Sequence, residues 1–194
     1  MLDIALKFLT DELNDYLERR LGSPTMRKVV ASALVDDKGS WVLPDNQIGL
    51  SLIAVDEERT VREQLPHYTD VDKRQVALHP PLRLNLTVLI AARFAVYDQA
   101  LGFLSHVLTF FQANSLFTAE THARLDARIE KLALELISYG SEQLSQTWTC
   151  LGAKYLPSAI YRVRAIALQD SEPQGVAPPI TSIVTTLLET TPPS

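Results

Sequence analysis

Leu82-Arg-Leu-Asn-Leu-Thr-Val-Leu-Ile90 alternates apolar and polar residues strictly over its first seven positions, the period of a half-buried β-strand. The period then becomes helical from Phe94 to Phe111, with Phe94, Tyr97, Leu101, Leu104, Leu108 and Phe111 on the expected core face. A clean strand feeding a long helix places the chain among folds in which both element types share one core.

Working outward, residues 1 to about 21 predict an amphipathic helix. Leu2, Leu6, Leu9, Leu13, Tyr16 and Leu17 share one face, while Asp3, Lys7, Asp11, Asn14, Asp15 and Glu18 lie opposite. Gly22-Ser-Pro24 ends it. Strands are expected from Met26 to Leu34 and from Gln47 to Val55, separated by the turn signals Asp36-Asp-Lys-Gly39 and Pro44-Asp-Asn46. Residues 56–80 lack any period and close on Pro80-Pro81, which predicts a mobile surface loop.

Beyond the long helix, Asn114-Ser115 is a break, and Leu132, Leu134 and Leu136 alternate as a strand. A short helix is expected from Ser141 to Leu151, stopped by Gly152, and a last strand from Ala159 to Leu168. The order α-β-β-β-α-β-α-β predicts an α+β, mixed α/β fold with a single sheet packed by helices. The expected division is a domain over residues 1–169 and a Pro/Thr-rich tail over 170–194, flexible or docked on a neighbour.

Composition narrows the function classes. The apolar share of 46% and charged share of 21% are those of a globular protein. A net charge of −5 offers no general electrostatic reason to bind nucleic acid or anionic lipid. No run approaches the ~18 apolar residues of a membrane span, and the charged N-terminus does not read as a secretory signal, so synthesis in the cytoplasm is expected. The lone Cys150, among apolar and aromatic neighbours, is expected to be a buried inert thiol. His67, His79, His106 and His122 lack metal-ligand spacing, and no phosphate loop or nucleophile elbow occurs. No catalytic residue, metal or cofactor is expected.

Four groups remain as contact candidates. Trp148, Tyr155 and Tyr161 surround the Gly152-to-Pro157 turn and read either as core or as interface anchors. Arg162 and Arg164 share a face of the last strand, where Glu130 and Glu135 could pair with them or a partner could. Asp56-Glu57-Glu58 reads as a solvated strand end or a charged contact. Ile180 to Leu188, with Ile183 and Val184 at its centre, is uncharged and bracketed by prolines. It reads as disordered or as a strand that adds to a neighbour's sheet edge.

Together these residues resemble a known family. The opening helix Met1 to Leu17, Ile48-Gly-Leu-Ser-Leu-Ile-Ala-Val-Asp-Glu-Glu58, Pro80 to Ile90, Leu101 to Asn114, and Glu142-Gln-Leu with Leu151 to Ser158 occur in matching order across residues 1–168. They are similar to the tail terminator, or cap, proteins of extracellular contractile injection systems, the phage-tail-like particles that include antifeeding prophages and Photorhabdus virulence cassettes. The resemblance implies a fold similar to phage tail terminators and no catalytic residues or cofactor. It further implies a homo-hexamer that contacts the inner tube protein and the sheath protein at the membrane-distal end and stops both from growing. A baseplate adaptor or cargo chaperone of the same particle is the alternative.

Overall fold

A computed structural model describes residues 1–22, 28–58, 67–71, 74–78, 82–168 and 175–177. The chain divides into two compact units, Met1–Arg62 with Leu82–Leu168, and Glu63–Pro81 with Gln169–Ser194.

The larger unit is built on a six-stranded sheet. Its strands are β1 (Val29–Ala31), β2 (Gln47–Glu57), β5 (Leu82–Arg93), β6 (Leu116–Thr118), β7 (Lys131–Ile137) and β8 (Ser158–Leu168), in the order β1-β2-β5-β8-β7-β6. Only β1 and β2 are parallel; the other neighbours are antiparallel. Helices α1 (Leu2–Leu21) and α2 (Tyr97–Ala113) cover one face, and α3 (Ser141–Leu151) covers part of the other.

The alternation in β5 explains both cores. Leu86, Val88, Ile90 and Ala92 point into the α1/α2 core, while Leu89 and Ala91 point at α3. β5 is thus the central strand, buried on both sides. In β2, Ile48 and Leu50 join the α1/α2 core, and Gly49 faces the opposite way. A Cβ on Gly49 would stand 3.0 Å from the side chains of both Leu34 and Leu43, so the missing side chain is what lets those two leucines pack closely on the sheet.

Helix α1 ends as read, with Gly22 left-handed at φ 68° and its N–H on the Glu18 carbonyl. One residue departs from the expected pattern. Asn14, read on the polar face, is buried, donating to the Val29 carbonyl at 2.9 Å and accepting from the Val29 N–H at 3.0 Å. It completes the outer edge of β1, whose groups on that side would otherwise be buried unpaired.

Helix α2 also turns differently from expectation. Ala100, Val107, Phe110 and Phe111 are buried, whereas Tyr97 is 63% and Leu101 is 41% exposed. The helix is apolar almost all round, so periodicity alone does not fix which side packs. Aromatic rings decide it: Phe110 meets Tyr16 at 5.0 Å, Phe111 meets Tyr161 at 5.0 Å, and Phe94 stacks on Phe103.

The smaller unit contains β3 (His67–Val71), β4 (Arg74–Leu78) and β9 (Gly175–Ala177), an antiparallel sheet in the order β3-β4-β9. The stretch read as an unstructured loop over 56–80 therefore holds two strands, and β2 itself continues to Glu57. Five-residue strands are too short for a period to stand out, and their stability rests on partners remote in sequence. Ile180 to Leu188 lies outside the described residues.

Candidate functional site

The aromatic turn is assembled by two glycine-governed events. Gly140 opens α3, its N–H donating to Gln143 Oε1 at 3.2 Å, and Gly152 closes it at φ 66° with its N–H on the Thr149 carbonyl. This holds Trp148 against Leu89, Ala91 and Ile160 in the α3 core. Tyr155 meets the indole edge-to-face at 5.6 Å and is 60% exposed.

Tyr161 does not belong to that group. It follows Ile160 on β8, so alternation sends its ring to the opposite face, where it packs on Phe111. Burial pushes its phenol from the ordinary 10.0 up to about 12. Because the folded pKa is raised, the stability tied to this group is complete below pH 10.0 and lost as pH rises toward about 12. Titration of phenolate absorbance is expected to show a step near 12 that Tyr161→Phe removes. An unchanged curve in the variant would contradict the buried position.

Arg162 and Arg164 do share the α3 face of β8, beyond the area α3 covers. Glu135 stands opposite Arg162 in register, yet it is Arg164 that reaches it diagonally, at 2.7 Å with both side chains near half exposed. Such a pair contributes little to stability, ~0–1 kcal/mol. Glu130 lies just before β7. At the far end of β2, Glu57 is exposed, and Glu58 accepts a bond from Asn85 Nδ2 at 2.9 Å. Ile183 and Val184 lie outside the described residues.

Cys150 corrects the reading of a buried thiol: it is exposed, on the side of α3 turned away from Trp148, and lines a groove with Ile53, Ala54, Tyr139 and Gln146. Its apolar sequence neighbours misled because helical neighbours one or two residues apart do not share a face.

A second surface was not anticipated. Val96, just before α2, and Tyr97 and Leu101 on it are exposed apolar residues, and a cleft beside the helix's last turns is lined by Leu108, Phe111, Gln112, Leu134 and Leu136. The available signal was composition: α2 carries Asp98 as its sole charged residue, more apolar surface than one buried face needs. Among the described residues, no group of three His, Cys, Asp or Glu side chains could hold a metal ion. Nor is any helix among them long and apolar enough to cross a membrane.

What these surfaces serve is narrowed by comparison. Residues 6–182 match the family profile described as the Pvc16 N-terminal domain. The chain belongs to that family. Solved structures agree on the fold of this Pvc16 N-terminal domain. The sheath/tube terminator of the extracellular contractile injection system PVC, in its extended state, superposes with a TM-score of 0.64 at 17% identity, over 96% of this chain and 65% of that one. The anti-feeding prophage cap, a tube-terminating cap, gives 0.59 at 17% identity, over 90% of this chain and 60% of that one. The expected mixed α/β fold, similar to tail terminators, is thus the fold observed. The chain spans less than two thirds of the length of either neighbour. No match is found among curated proteins.

Proposed function

We propose that this Pvc16 N-terminal domain is the ring-forming part of a terminator. Six copies seat on the membrane-distal end of the inner tube and contractile sheath and end their growth. The observation that carries the reading is the family match over residues 6–182, supported by the shared fold of two neighbours described as a terminator and a cap.

The physical requirement is a protein with two unlike faces. Tube and sheath subunits join head to tail, so each added layer exposes the same surface again. A terminator matches that surface on one side and offers no copy of it on the other. Six weak contacts made together hold such a ring without a very tight single interface. We assign contact roles to exposed Tyr155, to the face that carries partly buried Arg162 with half-exposed Arg164 and Glu135, and to Glu57 and Glu58. Trp148 and Tyr161 act from beneath, fixing the turn and strand that present them. The exposed run on α2 supplies apolar contact area.

Negative-stain microscopy of the protein mixed with the tube protein of its particle tests this. Six-fold rings at one end of capped, length-limited tubes are the expected result. A monomer that never associates with tube ends overturns the reading, and recovery of the protein with cargo but not in finished particles would favour a chaperone.

A further inference from the structure

At one end of the six-stranded sheet, β6 is too short to cover its neighbour. β7 runs from Lys131 to Ile137, but β6 pairs with it only from Lys131 to Ala133. The Leu134 N–H still donates to the Ser115 carbonyl at 2.8 Å, and on the other side of Ser115 the chain turns off through Asn114 into α2. Leu134 thus turns its backbone groups outward, Glu135 turns them toward β8, and Leu136 turns them outward again. No bulge upsets this alternation, because the register against β8 is unbroken from Ala133 to Ile137. Among the described residues no strand pairs with the outer side of β7 at Leu136. Its N–H and carbonyl are a template for another strand.

The side chains beside this stretch are apolar. Leu136 stands opposite Tyr161 in register, on the side of the sheet that α2 covers, yet it is 53% exposed. It lines the cleft beside the last turns of α2, and no residue of that lining carries a charge. From Leu108 in the cleft, Leu104, Leu101 and Tyr97 follow back along α2 at the spacing of one helix face. The sequence reads that stripe as core, whereas the folded chain leaves Leu101 and Tyr97 exposed. A strand added to β7 would send alternate side chains into the cleft, the arrangement by which sheet edges recognise extended segments.

We infer that the outer side of β7 around Leu136 accepts residues 180–188 of a neighbouring copy as an added strand, in line with β6. This rests on the proposed ring, in which copies lie side by side. An uncharged cleft calls for an uncharged occupant, and in this segment six of nine residues are β-branched and none is charged. Every other charge-free run of nine or more residues lies in β2, β5, α2 with β6, or α3. Prolines at 178–179 and 192–193 bound the segment, and proline cannot donate to a ladder. A chain's own tail starts from the wrong end. It leaves β8 at Leu168, whereas the open stretch faces Ile160 and Tyr161, ~25 Å back along that strand. It is then tied to β4 through β9 before the segment begins.

Residue-resolved amide exchange tests the inference. In the full chain, protection of the Leu136 amide is expected to grow with protein concentration, while the inward Ile137 amide stays protected throughout as the control. The concentration-dependent part should vanish in the full-length Val184→Pro variant and return when a synthetic peptide of residues 178–191 is added. Leu136→Asp sets a charge in the cleft at an exposed position, so the fold should persist while the peptide binds about tenfold more weakly. A peptide carrying Val184→Pro gives a similar loss without touching the folded chain. Equal Leu136 exchange in wild type and Val184→Pro at every concentration overturns the inference. So does protection already complete in the monomer, which would place a chain's own tail on its edge, or protection by tube or sheath protein but not by the peptide. Tube capping is scored separately: capping with Leu136 unprotected removes this inference alone, and peptide binding without capping removes the terminator reading alone.

Discussion

Phe117→Ala is expected to destabilise the protein by about 3–5 kcal/mol. Phe117 is fully buried, and its ring meets Phe8 at 5.5 Å, His122 at 4.7 Å and Phe110 at 6.2 Å. It joins α1, α2 and the residues after β6 in one cluster. Alanine there loses the transfer energy of the ring and leaves a void that three separate elements would have to move to fill. The strand that carries it makes the loss worse, because β6 pairs with β7 through only three residues and has little else to hold it. The midpoint of urea denaturation should fall at unchanged m-value, with a loss of roughly 10 °C in Tm for a domain of this size. A cost below about 1 kcal/mol would show that the cluster collapses without strain, contrary to the packing described.

Asn14→Leu is the second large effect, about 2–4 kcal/mol, although the replacement is isosteric and apolar. The reason is asymmetric loss. Leucine suits a buried site, but it strands both the N–H and the carbonyl of Val29, each costing ~1–3 kcal/mol when buried without a partner. Asn14→Asp separates the two bonds: it keeps the acceptor for the Val29 N–H and turns a repelling oxygen toward the carbonyl. Chemical denaturation of both variants decides the matter. A leucine variant as stable as the wild type would mean that water replaces the side chain at Val29.

These two residues also mark how far the sequence could be read. Phe117 sits in a segment with no clear period, and nothing local announces that three helical and loop elements converge on it. Asn14 was assigned to solvent because polarity usually tracks exposure, and its role depends on β1, fifteen residues away. By contrast, β5 and α1 were legible because each is long and periodic, and Gly22 and Gly152 mark helix ends by left-handed geometry that disfavours other residues. For the contact surfaces, a pairing of Glu135 with the arginines of β8 was legible in alternation, but register sets Glu135 opposite Arg162, and that Arg164 takes it diagonally was not. The separation of Tyr161 from Trp148 was implicit in alternation, but proximity in sequence hid it. The exposed α2 face could not be read, since it depends on which neighbours the helix lacks.

The bond between the Glu58 N–H and the Arg83 carbonyl means that the chain leaves the sheet and re-enters it on adjacent, antiparallel strands. The excursion between those two residues begins and ends on neighbouring strands of the same sheet. Lengthening such an excursion costs slowly, about 0.6 kcal/mol for each doubling, and requires no change in the register of β2 against β5. The six-stranded sheet is therefore indifferent to the size of what it carries there. Insertions or deletions in that excursion are therefore expected to leave the pairing of β2 with β5 unchanged.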